Sequence, residues 1–333
     1  MGLGLPYDTF PSGWFQIAWG DDFAVGDVRP MRYFDSDLVV YRGADGEVRV
    51  FDAFCPHLGA HLGHGGHVEG CDIVCPFHGW RFDGDGANVE IPYEDRPMRA
   101  QRLRRWPVRE VNSWILVWYD ALGREPEWEP PVIPEHRDEI LVTGPDFRQF
   151  DRSVRLQPQF IVENIVDAAH QVYVHGATEP LEIVSFGEHG PMFRAHTRLV
   201  LGAGKKSTWL TPDGRVVADL IMEAWGVGMA LAWHKQDTSI HVQNSTPIDD
   251  EHATLFATLY TPPPRDEEHR ALVLKRFRFE MKNLGHDIKI WEHMRYEPKA
   301  PLAGMERKPY GAFRKWAERF YPATEQPTSV RSA

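Results

Sequence analysis

The chain has 333 residues, of which 42% are apolar and 26% charged, and a formal net charge of −11. A balance this acidic argues against nucleic acid as the main partner, and no apolar run approaches the ~20 residues needed to cross a bilayer. Three cysteines make no disulfide framework, and the opening MGLGLPYDTF has neither a basic nor an apolar leader region. We therefore expect a cytoplasmic protein without an integral membrane segment, in which spaced Cys and His hold a metal.

From about Trp14 to Tyr119 the chain reads as short strands joined by Gly-rich turns. Asp37–Tyr41 and Glu47–Phe51 flank Arg-Gly-Ala-Asp-Gly, a hairpin signal, and Trp114–Tyr119 is a further strand. Residues 120–135 hold Pro126, Pro130, Pro131 and Pro134 and read as a linker. A second domain is expected over 136–322, with residues 1–13 packing on it. It opens with a strand near Phe147–Leu156 and a helix from Pro158 to about Gln171. Antiparallel strands are expected over 181–260, then a long helix whose Leu274, Phe277, Met281, Leu284, Ile288 and Trp291 form one apolar stripe. Residues 323–333 read as a loose tail.

Two short phrases carry metal chemistry. CPHLG gives Cys55 and His57; CPFHGW gives Cys75 and His78, with seventeen residues between His57 and Cys75. Two hairpin loops, each offering one thiolate and one imidazole, fit a structural zinc or a Rieske [2Fe–2S] cluster with two Cys on one iron and two His on the other. The flanks favour the cluster: Pro56 and Pro76 follow the cysteines directly, and Gly59 and Gly79 let backbone N–H groups approach sulfur. His61, His64 and His67 read as loop residues, and Cys71 as a small strand residue.

A second constellation lies in ENIVDAAHQVYVH. Non-heme Fe(II) oxygenases use two His and one carboxylate on one face of the iron. His170 and His175 are five apart, so they converge only if the helix ends just after His170, where Val172, Val174 and Gly176 follow. Asp167 lies one turn before His170, placed to accept a hydrogen bond from its ring. The third ligand is expected to be Asp287, a carboxylate on the apolar stripe, in competition with His286, Glu292 and His293.

These motifs resemble the oxygenase component of Rieske non-heme iron oxygenases across nearly the whole chain: the Rieske phrases, then N-x-x-D-x-x-H-x4-H from Asn164, then D-x-x-I-W from Asp287. CPHLGAHLGHGG, CPFHGWRFDGDG, IPY and DIKIWEHMRYEPKAPL are most similar to the steroid branch, which holds bacterial 3-ketosteroid 9α-hydroxylases and cholesterol 7-desaturases. Unlike the animal sterol desaturases, the chain is expected to carry no N-terminal membrane helix. The resemblance implies an α+β fold: an all-β Rieske domain followed by a helix-grip (START-like) catalytic domain with an antiparallel sheet. It implies a [2Fe–2S] cluster on Cys55, His57, Cys75 and His78 and a mononuclear Fe(II) on His170, His175 and Asp287, with Asn164 beside the iron. It further implies a homotrimer in which the cluster of one subunit serves the iron of its neighbour across Asp167. A flavin and iron–sulfur reductase, with or without a ferredoxin domain, would bring NAD(P)H electrons, and O2 would hydroxylate or desaturate a hydrophobic substrate. A small-aromatic O-demethylase or hydroxylase and a simple Rieske electron carrier are the alternatives. Arg99, Arg102, Arg104, Arg105 and Arg109 suggest a docking patch for an acidic ferredoxin domain. Gly226–Trp233, small residues amid large ones, suggests a pocket wall.

Overall fold

The computed structural model describes residues 2–133, 141–201, 216–235 and 238–322. Pro134 at the end of the expected linker, the start of the expected second domain and the expected tail lie outside them. The described chain divides into two compact units. One holds residues 14–119 and 125–130; the other holds 2–13, 120–124 and the described residues from 131 onward. The proline-rich stretch is therefore shared between the two bodies.

The first unit is all β. Its strands are β1 (Gly13–Trp19), β2 (Val28–Tyr33), β3 (Ser36–Arg42), β4 (Val48–Asp52), β5 (His67–Glu69), β6 (Asp72–Val74), β7 (Arg81–Phe82), β8 (Asn88–Glu90), β9 (Arg105–Trp106), β10 (Val108–Val111) and β11 (Trp114–Tyr119). They form three small sheets, ordered β2-β3-β4-β9, β5-β6-β7-β8 and β1-β11-β10. The hairpin read around Gly43–Gly46 is the β3–β4 pair, with Tyr41 opposite Arg49. Val39, Tyr41, Phe51, Leu62, Ile73, Trp80 and Phe82 pack as one core with Cys55 and Cys75, so the loops that carry the motif cysteines are anchored by apolar burial. Part of the arginine run is engaged within this unit. Arg109 forks onto Glu129 at 2.7 and 2.8 Å, Arg105 pairs with Asp85, and the Arg104 guanidinium lies 4.8 Å from the Trp106 ring centre.

The second unit is one seven-stranded antiparallel sheet with helices against it. Its strands are β12 (Arg148–Val154), β13 (Glu182–His189), β14 (Met192–Leu201), β15 (Val216–Trp225), β16 (Met229–His234), β17 (Ser239–Pro247) and β18 (Ala253–Tyr260), in the order β12-β18-β17-β16-β15-β14-β13. Between β12 and β13 run α1 (Pro158–Glu163) and a one-turn helix α2 (His170–Tyr173). The long helix α3 (Glu267–Trp291) starts at Asp266, whose carboxylate accepts from the His269 N–H at 2.7 Å; Glu267 and Glu268 in its first turn suit the positive end of the dipole.

The apolar stripe of α3 packs as its spacing requires. Phe277, Met281, Leu284 and Trp291 are buried against Leu156, Phe160, Leu255 and Leu259, while Leu274 and Ile288 sit half-buried at the edge. Each fully buried side chain of this size contributes roughly 1.5–3 kcal/mol, so the stripe fixes the rotation of α3 and with it the direction of Asp287. A last helix, α4 (Gly304–Ala317), seats Phe313 and Trp316 on Phe193 of β14 and on Val162, Ile165 and Val166.

Candidate metal centres and the cavity beside them

The two cysteine loops are built alike. In the first, the Cys55 N–H donates to Ala60 O at 2.9 Å and the Gly59 N–H to Cys55 O at 2.9 Å; in the second, the Cys75 N–H donates to Trp80 O at 2.8 Å and the Gly79 N–H to Cys75 O at 3.1 Å. Both turns close through a left-handed glycine, Gly59 at φ +74° and Gly79 at φ +70°, which other residues adopt only with strain. The fingerprint glycines are thus required by backbone geometry. Both thiols are buried and free, and they are hydrogen-bonded to one another. Cys75 is drawn down to about 6, chiefly by that bond, and Cys55 is correspondingly raised. The His57 and His78 rings lie 4.8 Å apart, and His57 stacks on Trp80 at 4.5 Å, whose indole N–H is tied to the Tyr93 hydroxyl at 2.8 Å.

The two thiols meet one another and the two imidazoles meet one another, which fits a cluster with two Cys on one iron and two His on the other. Among the described residues, His170, His175 and Asp287 form a set whose ligand atoms close within 4.8 Å.

The second centre is assembled from a broken helix. α1 ends at Glu163, a 3-10 turn spans Asn164–Val166, and Asp167 is extended, with φ −86° and ψ 94°. The helix expected to run on to Gln171 therefore breaks before His170, not after it. The chain restarts as α2, with the Asp167 carboxylate accepting from the Ala169 and His170 N–H groups at 3.2 Å each. An aspartate that satisfies the backbone of a new turn competes with continued helix. The second turn ends at Gly176, φ +70°, and the two breaks bring the His170 and His175 rings to 5.2 Å.

Asp167 holds His170 by a different atom from the one expected. The His170 Nδ1 lies 2.7 Å from the main-chain carbonyl of Asp167 and 3.6 Å from its carboxylate. Because a carbonyl only accepts, Nδ1 carries the proton and Nε2 keeps the lone pair. The Gln171 side-chain amide meets that lone pair at 2.8 Å, in the place a metal would take. Burial pushes the Asp167 carboxyl up, but bonds from His170 and the Tyr310 hydroxyl outweigh it and leave the group below its usual range. Tyr310 belongs to α4, a helix with Pro309 and Gly311 inside it, so no periodic signal pointed to this residue.

Asp287, 8% exposed, faces His175, with Oδ1 3.2 Å from Nε2. The His175 Nδ1 is buried without a partner. A buried carboxylate beside an under-satisfied imidazole is costly alone and suits a divalent cation. The competing residues are not drawn into this set: His293 is exposed, its Nδ1 3.0 Å from Lys289 O, and His286 and Glu292 are half-buried.

Glu163, next to Asn164, anchors the whole segment. Arg314 of α4 forks onto it at 3.0 and 2.9 Å, Tyr296 donates at 3.0 Å and Gln159 at 2.8 Å.

Two cavities meet at Asn164 and Asp287. One, about 280 Å³, is lined by Asp167, His170, Tyr310 and Arg314. The other, about 180 Å³, is lined by His175, Met222, Ala230, Ala232, His241 and Glu280. Gly226–Trp233 thus supplies wall residues, as its small side chains suggest. β17 and α3 also turn polar groups into the cavity, among them His241 and Glu280.

The description of the 3-ketosteroid 9α-hydroxylase C-terminal domain matches residues 117–321, and that of the Rieske [2Fe–2S] domain matches 13–112. Cholesterol 7-desaturase of Bombyx mori is 31% identical over 100% of this chain and 74% of its own. A 3-ketosteroid-9-alpha-monooxygenase oxygenase component of Rhodococcus rhodochrous is 28% identical over 96% of this chain and 86% of its own. In fold, the crystal structure of dicamba monooxygenase bound to dicamba covers 93% of this chain and 96% of its own, with a TM-score of 0.72 at 20% identity.

Proposed function

The chain belongs to the Rieske non-heme iron oxygenases with a 3-ketosteroid 9α-hydroxylase C-terminal domain, and from that premise we propose that it hydroxylates or desaturates a steroid or sterol as the terminal oxygenase of a multicomponent system. The observation that carries the proposal is the convergence of His170, His175 and Asp287 from three separate turns, in a chain whose other unit holds the paired Cys/His loops.

In this reading Cys55, His57, Cys75 and His78 hold the cluster, and His170, His175 and Asp287 hold the iron. The bound groups supply electron storage and oxygen activation. The chain supplies the rest. Asp167 fixes the tautomer and orientation of His170 through its carbonyl and receives the electron route from a neighbouring subunit's cluster in a homotrimer. Asn164 and Asp287 separate the electron side from the substrate side. Met222, Ala230 and Ala232 present a dry wall to a flat apolar ligand. Electrons come from NAD(P)H through a flavin and iron–sulfur reductase. Cysteines used as cluster ligands suit a cytoplasmic setting, and among the described residues no helix is long and apolar enough to cross a membrane.

The test is a steroid panel with reductase, NADH and purified protein carrying about three irons per chain, read as O2 uptake with product identification. Turnover of a steroid to a hydroxylated or desaturated product supports the proposal; uncoupled or absent uptake across the panel rejects the substrate class. The cavity volume favours one second reading. About 180 Å³ is below the roughly 300–1,000 Å³ of most drug-sized ligand sites, so a small aromatic enters as the cavity stands, whereas a four-ring substrate must widen it.

A further inference from the structure

Ile91, Pro92 and Tyr93 follow the second cysteine loop and carry no ligand, yet all three pack on it. The Glu94 N–H donates to Ile91 O at 3.0 Å, closing a turn with Pro92 and Tyr93 at its centre; proline suits the second position of such a turn. Ile91 is buried in one core with Cys55, Cys75 and Trp80. Pro92 lies so close to the loop that a Cβ on Gly79 would stand 2.9 Å from its Cγ. The Tyr93 hydroxyl accepts the Trp80 indole N–H at 2.8 Å.

Trp80 in turn meets His57 of the first loop. Their ring centres are 4.5 Å apart and their planes 6° from parallel. Trp80 is 4% exposed and Tyr93 57%, so a buried residue donates to an acceptor that stands at the surface. A buried N–H left without an acceptor is costly. The phenol oxygen therefore fixes the plane of the indole, and the indole fixes the plane of the imidazole. Groups that orient a metal ligand, and the apolar shell that keeps water from it, tune the bound metal.

We propose that Tyr93 is a positioning residue: its hydroxyl holds the Trp80 indole flat against His57, and this stack lowers the reduction potential of the cluster. The proposal rests on the reading of His57 as a cluster ligand. Two effects share one sign. The indole face carries the negative part of the ring quadrupole, which disfavours an electron added beside it. The indole also keeps water from the imidazole, and water favours the more negative, reduced form.

The experiment is a redox titration of the purified, cluster-loaded protein at a single pH, followed by visible absorption. Iron content and the electron paramagnetic resonance spectrum of the reduced form are taken on the same samples. Tyr93→Phe keeps the ring and removes the acceptor. It should keep its iron and its visible spectrum, while its resonance lines shift. Its reduction equilibrium should move toward the reduced form by about three- to tenfold, the range set by the worth of an aromatic pair; at about 59 mV per decade for one electron this is ~30–60 mV. Trp80→Phe keeps a ring in the stack without the N–H. On that background Tyr93→Phe should have no further effect, because the bond it removes is already gone. A reduction equilibrium within about 1.5-fold of the wild type in Tyr93→Phe with an intact spectrum, whatever the change in melting temperature, overturns the proposal alone, as does an equal shift on the Trp80→Phe background. Wild-type protein without a Rieske spectrum rejects the ligand reading of His57 and the proposal with it.

Discussion

Arg314→Met tests whether the Glu163 network positions the iron side of the molecule. The substitution removes a guanidinium that meets the carboxylate through bonds of 3.0 and 2.9 Å and stacks 4.5 Å from the Tyr296 ring centre. Met keeps most of the stem, so lost packing is small. What remains is a carboxylate of 7% exposure with two neutral donors, the Tyr296 hydroxyl and the Gln159 amide. Removing one partner of a buried pair costs ~3–5 kcal/mol. The 20% exposure of the Arg314 side chain and the surviving donors place the expectation near the low end, about 3 kcal/mol. In a unit of roughly 200 residues each kcal/mol lowers Tm by ~2–4 °C, so the melt of this unit should fall by ~6–12 °C. Adding Glu163→Gln removes the orphaned charge, and the double variant should be less destabilised than the sum of the singles by about 2 kcal/mol. The assay is thermal unfolding followed by circular dichroism, with iron content measured on the same samples. A melt within about 2 °C of the wild type, or additive singles, would refute the assignment of this network as the anchor of α1.

Cys75→Ser should abolish the visible absorption of the cluster and leave about one iron per chain, read by spectrum and metal analysis; an intact spectrum rejects the cluster assignment. Asp287→Ala should keep the spectrum and lower the metal content from about three irons to about two; an unchanged content moves the third ligand to His286 or Glu292. Asp120 is buried, which raises its carboxyl, but Arg124, Ser12 and backbone N–H groups outweigh burial and hold it below its usual range. Its folded value is depressed, so its contribution is present above the unfolded value and is lost as pH falls through the folded one. Asp120→Asn should therefore destabilise at pH 7 by about 1–2 kcal/mol and progressively less below about pH 4, by urea titration; a pH-independent cost removes the ionic explanation. Trimers assembled from Cys75→Ser and His170→Ala chains should turn over although each parent is inactive, because some junctions pair an intact cluster with an intact iron site; silent mixed trimers reject the intersubunit route through Asp167.

The sequence by itself carried the motif chemistry and the local rules. The paired loops were legible because Cys, Pro and Gly stand at short spacings whose geometry is local: Gly59 and Gly79 take the left-handed conformations that close each turn. The inward direction of Asp287 was legible because a stripe with helical period fixes which face of α3 is buried. Other features were decided only by tertiary structure. The helix break before His170 depends on the Asp167 carboxylate choosing the N–H groups of the next turn over solvent, a competition that periodicity does not register. Tyr310 and Arg314 reach the site from α4, more than 130 residues away in sequence, and the Pro and Gly within α4 mask its pattern. The polar end of the cavity exists because β17 pairs in a register that lays His241 against Glu280 of α3. Strand register and helix rotation are set by core packing of the whole unit, so no window of sequence contains that contact.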